Sequence, residues 1–295
     1  MRRVAIFAHY DSQDRVKRYV IHHLSALREV CSEVHFASTA KLSVDELAAV
    51  DGIVASQHLS ENKGYDFGMW RRVLATLDLG DWDELVLTNS SVLGPLVSLV
   101  PVFRSMQEST CDFWGMSDNL DFEYHLQSYF LVFRKPILHS GHLEAFFSSV
   151  LPYQHKEQTI LSYEVGLTHF LLDQGFAPDV VASVFDFDKR LRRSNALLYA
   201  PIAVIDRGVP YVKAELLRDN PHQVCLAAVR KRMEALGYPW NLVEIERRPP
   251  RRLLPGSINR LRFRMRRRFQ SLPSELRLRA AVLAMLDNRN RIRHP

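Results

Sequence analysis

The chain has 295 residues, 47% of them hydrophobic and 24% charged, with a net charge of +6, which is ample for a large buried core and excludes disorder as the default state. Three scattered cysteines, Cys31, Cys111 and Cys225, exclude a disulfide framework and a CxxC metal site and fit a reducing cytoplasm. The opening MRRVAIFAHYDSQD offers an apolar run too short for a signal peptide or a spanning helix, and no later segment reads as membrane-spanning.

VAIFAHY (4–10) is a continuous apolar run ending in polar residues, as a buried parallel strand is. YVIHHLSALREV follows with helical spacing, then EVHFAST as a strand, VDELAAV as a short helix and DGIVASQ (51–57) as a third strand. This β/α alternation predicts an α/β fold with a mostly parallel sheet. MWRRVLATLDL (69–79) reads as an amphipathic helix after a glycine-rich turn, and DELVLTNSS as a strand running into a polar loop. Pro95 opens a helical run that Pro101 breaks or restarts. QSYFLVFRK is a strand, approached through the polar stretch from Asp112, and HLEAFFSSV and TILSYEVGLTHFLLDQG are helices, the second closed by Gly175.

From about 180 to 250 the rhythm weakens, although AELLRDN and QVCLAAVRKRMEALG still read as helices. RRPPRRLLPG is a linker by composition. Residues 247–295 hold 15 arginines, no lysine and only Glu275 and Asp287, a net +13 that leaves residues 1–246 at −7. Two units are expected: a body over 1–246 and an arginine-rich amphipathic helical tail over 247–295. The tail calls for an anionic partner, and it carries too few aromatics, Phe263 and Phe269, for nucleic acid.

Four constellations lie at strand ends or helix starts, where open α/β sheets bind ligands. The first, His9-Tyr10-Asp11, reads as an ordinary polar loop or a ligand contact. The second, ENKGYDFGMWRR, has glycines for a turn or a close approach and aromatics interleaved with charges, but no GxGxxG or GxxxxGK[ST] fingerprint. The third, VLTNSSVLGP, delivers Asn89, Ser90 and Ser91 without the carboxylates of a DxD cation site. The fourth pairs DFWGMSDNLDFEYHLQS with SYEVGLTHFLLDQG, whose Glu164 sits among apolar neighbours and either salt-bridges or acts as a base.

The words HYD (9–11), NKGYDFGMW (62–70), LTNSSVLGP (87–95), DFWGMSD (112–118), HLQSYFLVFRK (125–135), YEVGLT (163–168) and PYVKAELLRDNP (210–221) together resemble the rhamnan synthesis protein F family of bacterial polysaccharide glycosyltransferases, over about residues 1 to 225. The resemblance implies a GT-A-like, nucleotide-sugar-binding α/β domain. It implies transfer, with inversion, of a sugar such as rhamnose from dTDP-rhamnose or GDP-rhamnose to a lipid-linked glycan acceptor of a cell-surface polysaccharide or O-antigen. The expected location is the cytoplasmic face of the membrane, with peripheral attachment to anionic lipid through the tail. It further implies Glu164 as the base with Asp118 as the other candidate, and His9, Tyr10, Asp11, Asn62, Gly64, Asp66, Asn89, Ser90 and Ser91 around the donor nucleotide. Lys213 and Arg218 fall to the diphosphate, and Trp114, His125 and Gln127 to sugar or acceptor. Ser90 stands where the family usually has Asp, which leaves Mg²⁺ or Mn²⁺ use open, with Asp112, Asp118 or Asp121 as substitute ligands. It also leaves open a non-catalytic nucleotide-sugar-binding or glycan-binding role in an assembly complex.

Overall fold

The computed structural model describes residues 1–120, 123–151, 159–187 and 195–247. Asp121 and all of the expected tail except Arg247 lie outside the described residues. In chain order the elements are β1 (Arg3–His9), α1 (Arg18–Arg28), β2 (Glu33–Ser38), α2 (Val44–Ala48), β3 (Ser56–Leu59), α3 (Tyr65–Leu74), β4 (Glu84–Asn89), β5 (Val92–Leu93), α4 (Val100–Gln107), β6 (Phe113–Asn119), β7 (His125–Leu126), β8 (Phe130–Arg134), α5 (Lys135–Leu138), α6 (His142–Ser148), α7 (Gly166–Asp173), β9 (Pro178–Ala182), α8 (Ala196–Tyr199), α9 (Pro201–Ile205), β10 (Val212–Lys213), α10 (Ala214–Asp219) and α11 (Leu226–Ala235). A π-helical turn, Ile160–Val165, leads into α7.

The main sheet runs β3-β2-β1-β4-β8-β6-β7, with β9 also on β6. β3, β2, β1 and β4 are parallel, β8 is antiparallel to both of its neighbours, and β9 is parallel to β6. The mostly parallel α/β sheet expected from the β/α rhythm is therefore present. Side chains alternate across it. Val4, Ile6 and Ala8 of β1 join one apolar cluster with α3, α6 and α7, while Ala5 and Phe7 join the other with α1, α4, α10 and α11. A strand apolar on both faces is stable only between two helical layers.

At the end of the sheet where β1 and β4 begin, Glu84 is 3% exposed and meets Arg3 at 2.5 Å and Arg134 at 3.4 Å. At the opposite end the chain order turns outward from β1 in one direction and continues at β4 in the other. The carboxyl ends of these strands open a crevice at that switch point.

Four segments depart from the sequence reading. The third strand is the polar edge Ser56–Leu59 rather than 51–57, because Gly52, at φ +67°, turns the chain first. Phe113–Asn119 is a fully buried strand rather than a polar approach to one, with Trp114 opposite Val132 of β8. β9 lies where the rhythm had weakened. Pro95 follows a cis peptide outside any helix, and α4 starts at Val100, with Pro101 in the first turn, where its missing N–H costs nothing.

Candidate active site

The crevice is built by lacing the loops after β1 and β4. The Tyr10 backbone N–H donates to Ser90 Oγ at 3.2 Å, and Ser90 Oγ lies 3.4 Å from the Tyr10 carbonyl. From α1, the Tyr19 hydroxyl donates to the Ser90 carbonyl at 3.3 Å; burial raises the pKa of this phenol and keeps it protonated. Asn89 Nδ2 donates to Asp66 at 2.8 Å, while Asn89 Oδ1 accepts from the N–H and hydroxyl of Ser91. Asp66 is placed by the first turn of α3, which starts at Gly64 in the left-handed region at φ +83°. A side chain at Gly68 would run into the Lys63 carbonyl. These glycines serve the helix start. Phe67 and Trp70, read as part of a mixed stacking surface, are buried in the core instead, while Asn62 is exposed on the approach.

His9 and Asp11 hold the first loop from within. His9 is 1% exposed with Nδ1 at 2.9 Å from Ser38 Oγ, and burial pushes its pKa down to about 4, so the ring is neutral at pH 7. Asp11 accepts from the Gln13 N–H and pairs with Lys17 at 2.9 Å. Tyr10, half exposed between them, is the member of the triplet that faces solvent.

Cations reach the crevice from the other end of the chain. β10 pairs antiparallel with β5, setting Lys213 opposite Val92, and the Ala214 N–H donates to the Ser91 carbonyl at 2.9 Å. The Lys213 ammonium sits 4.7 Å from the centre of the Tyr129 ring. Arg218, on α10, pairs with Asp219 at 2.8 Å and acts electrostatically on Tyr19.

The residues expected at a sugar-facing rim are not on one. Trp114, His125 and Gln127 are 0%, 2% and 4% exposed. Trp114 packs edge-on to Phe103 of α4, with ring centres 5.1 Å apart; the His125 ring bonds the Glu123 carbonyl, and Gln127 accepts from Ser117. Trp114 lies on a strand whose two faces are both covered, and His125 and Gln127 lie on the segment that the π-helical turn and α7 cover. Asp118 is likewise inward: it accepts from Ser183 Oγ at 2.7 Å and from the Val184 N–H, tying β6 to the end of β9.

Glu164 is different. It is partly exposed, and its Oε1 accepts both the N–H of Ser128 at 2.8 Å and the hydroxyl of Ser128 at 3.0 Å, while no described residue donates to Oε2. Ser128 adjoins Tyr129, whose ring carries Lys213. A carboxylate and an ammonium thus flank consecutive residues at the mouth of the sheet. Lys17, Tyr19, Ser128 and Tyr129 were not singled out from the sequence. The only signal for Ser128 and Tyr129 was that both lie inside the motif HLQSYFLVFRK (125–135).

Among the described residues no group of three or more His, Cys, Asp or Glu side chains is disposed to hold a metal. The loop after β4 offers amide and hydroxyl oxygens, with the Asp66 carboxylate bonded to Asn89, and Asp118 is committed to β9. Asp112 precedes β6 and so lies at the far end of the sheet, roughly 20 Å of strand away. Asp121 lies outside the described residues. The residues described do not fit a hard-cation cage.

The chain returns to the crevice once more. Glu244 accepts from the backbone N–H of Arg18, at the start of α1, at 2.7 Å and from its guanidinium at 2.9 Å; Glu246 accepts from Gln13. A carboxylate at a helix N-terminus also meets the positive end of the helix dipole. Between this strap and the loop after β1 lies a cavity of about 260 Å³. No described helix is long and apolar enough to cross a membrane.

Several known proteins are similar. Virulence protein VirA of Vibrio anguillarum is 27% identical over 192 residues, covering 55% of this chain; the match spans 62% of the length of VirA. Among solved structures, a putative nucleotide-diphospho-sugar transferase from Desulfovibrio desulfuricans G20 overlaps with a TM-score of 0.39 at 13% identity, covering 70% of this chain and 95% of that one. The galactosyltransferase LgtC, in complex with donor and acceptor sugar analogs, overlaps with a TM-score of 0.35 at 18% identity, covering 79% and 94%. These overlaps are loose. The sequence model described as Rhamnan synthesis protein F matches residues 34–247, from β2 to the strap. The chain belongs to the rhamnan synthesis protein F family.

Proposed function

We propose that this protein is a glycosyltransferase that moves a sugar from a nucleotide-diphosphate donor to a hydroxyl of a cell-surface glycan. The observation that carries the reading is that Glu164 is held on Ser128 and Lys213 on the next residue, Tyr129, with Lys213 beside the Ser90–Ser91 loop. Glycosyl transfer needs both charges. A base takes the proton of the acceptor hydroxyl while that oxygen bonds to the anomeric carbon, and the bond from that carbon to the diphosphate breaks with its electron pair leaving on the phosphate oxygen. Glu164 Oε2 takes the proton. Lys213, with Arg218, meets the developing negative charge. Attack opposite the leaving group inverts the anomeric centre. No step is assigned to a metal.

In this reading Tyr10 and Asp66 line the nucleotide at the switch point, the buried His9 and Asp11 shape the loop that carries Tyr10, and Asn62 approaches from outside. Family membership supports rhamnose as the sugar and a rhamnose-containing polysaccharide as the product, with dTDP-rhamnose or GDP-rhamnose as donor. The arginine-rich 247–295 segment is assigned to anionic lipid at the inner membrane face, where a lipid-linked acceptor would be met. The strap supports this by bringing Glu246, next to the first residue of that segment, to the loop after β1.

The test is nucleoside diphosphate release and thermal shift with dTDP-rhamnose, GDP-rhamnose and UDP-glucose. One rhamnose donor should stabilise the protein and be turned over. Stabilisation without release, even with rhamnan fragments as acceptors, would point to a binding component and refute the enzyme reading. Co-sedimentation with anionic vesicles, with and without residues 248–295, tests the tail; equal binding of both forms refutes the lipid assignment.

A further inference from the structure

Segment 124–128 runs along β6 on the side of β8, leading into that strand, and keeps a strand-like alternation. The Gln127 N–H points inward to the Ser117 carbonyl, while the N–H groups of Leu126 and Ser128 point outward. An open edge of this kind must be satisfied or covered. Here the π-helical turn and α7 cover it with side chains. Thr168 Oγ1 accepts the Leu126 N–H at 3.1 Å, Glu164 Oε1 accepts the Ser128 N–H at 2.8 Å, and His169 Nε2 lies 3.1 Å from the Tyr124 carbonyl.

Covering the edge requires one acceptor per N–H, which is what Thr168 supplies. At Ser128 there is a second bond: its hydroxyl donates at 3.0 Å to the same Oε1. Two donors on one oxygen anchor Oε1 and leave Oε2 without a described donor. The residue they fix stands in a π-helical turn, a feature found mostly as a single-turn bulge and often at functional sites.

We propose that Ser128 is a positioning residue whose hydroxyl aims Glu164 for proton transfer. This rests on the reading of Glu164 as the base. The hydroxyl bond is charge-assisted, and a base displaced by about 1 Å loses on the order of 100-fold in rate.

The test compares Ser128→Ala, Ser128→Thr, Glu164→Gln and the Ser128→Ala/Glu164→Gln double variant of the full chain, by steady-state release of nucleoside diphosphate from dTDP-rhamnose or GDP-rhamnose, whichever the wild type turns over. Ser128→Ala keeps the backbone bond and should lower kcat about 10- to 100-fold with donor KM within about twofold. Ser128→Thr, which keeps a hydroxyl, should recover most of the rate. In the Glu164→Gln background, Ser128→Ala should cost nothing more. Full kcat in Ser128→Ala, or the same fold-loss with and without Glu164, overturns the positioning role while leaving the base assignment intact. Wild-type turnover by Glu164→Gln overturns the base assignment itself. Equal thermal midpoints for Ser128→Ala and Ser128→Thr separate positioning from misfolding; if Ser128→Ala fails to fold, Ser128→Gly replaces it.

Discussion

Asp118→Asn distinguishes the two carboxylates that the sequence offered as the base. Asp118 is 4% exposed and Ser183 is fully buried; Asp118 accepts from the Ser183 hydroxyl at 2.7 Å and from the Val184 N–H. An amide keeps one acceptor oxygen and turns the other into a donor, so one charge-assisted bond is lost and the Ser183 hydroxyl must rotate to accept. A hydrogen bond to a charged group contributes about 1.5–3 kcal/mol, and that is the loss of stability expected. Asp118→Ala leaves both partners unsatisfied in a dry site and should cost more, about 3–5 kcal/mol. Urea unfolding measures both. Turnover per folded molecule of Asp118→Asn should stay within a few-fold of wild type. A variant as stable as wild type but inactive would mean that Asp118 works on the substrate.

Lys213→Ala removes the ammonium from the Tyr129 ring and the charge assigned to the leaving diphosphate; kcat should fall about 100-fold, with partial recovery in Lys213→Arg, and an unchanged rate would move leaving-group stabilisation elsewhere. Glu84→Ala leaves Arg3 and Arg134 without their shared carboxylate, so unfolding free energy should drop by about 3–5 kcal/mol while activity per folded molecule is retained; a loss under 1 kcal/mol would refute the role of this network. The fold holds His9 neutral with its pKa near 4, and His23 near 3, against 6.5 ordinarily. The unfolded chain therefore binds more protons below pH 6.5. Stability is full above that pH and falls as pH drops toward 4, with His9 contributing about 3 kcal/mol; a urea midpoint that does not change between pH 7.5 and pH 5 would contradict this.

The α/β rhythm was legible because β1, β2 and β4 are apolar runs between amphipathic helices, a pattern fixed by burial on both faces. β6 was not legible, since Gly115, Ser117, Asp118 and Asn119 look like loop chemistry until β7, β8 and β9 supply their partners. The same misreading put Trp114, His125 and Gln127 on a rim. β9 is not legible either, because PDVVA is short and mixes proline and aspartate into its apolar residues, and its parallel partner is β6. At the site, Glu164 and Lys213 are legible in their motifs, whereas their placement on the neighbouring residues Ser128 and Tyr129 depends on contacts across 36 residues in one case and more than 80 in the other. No local pattern encodes such distances.

The most direct test of the account is Glu164→Gln, which preserves size and an acceptor for Ser128 but removes the proton-accepting charge. Donor affinity by calorimetry should stay within about threefold of wild type while turnover falls by at least about 100-fold, within the range that general-base catalysis contributes. Turnover near the wild-type rate would show that Glu164 only covers the strand edge.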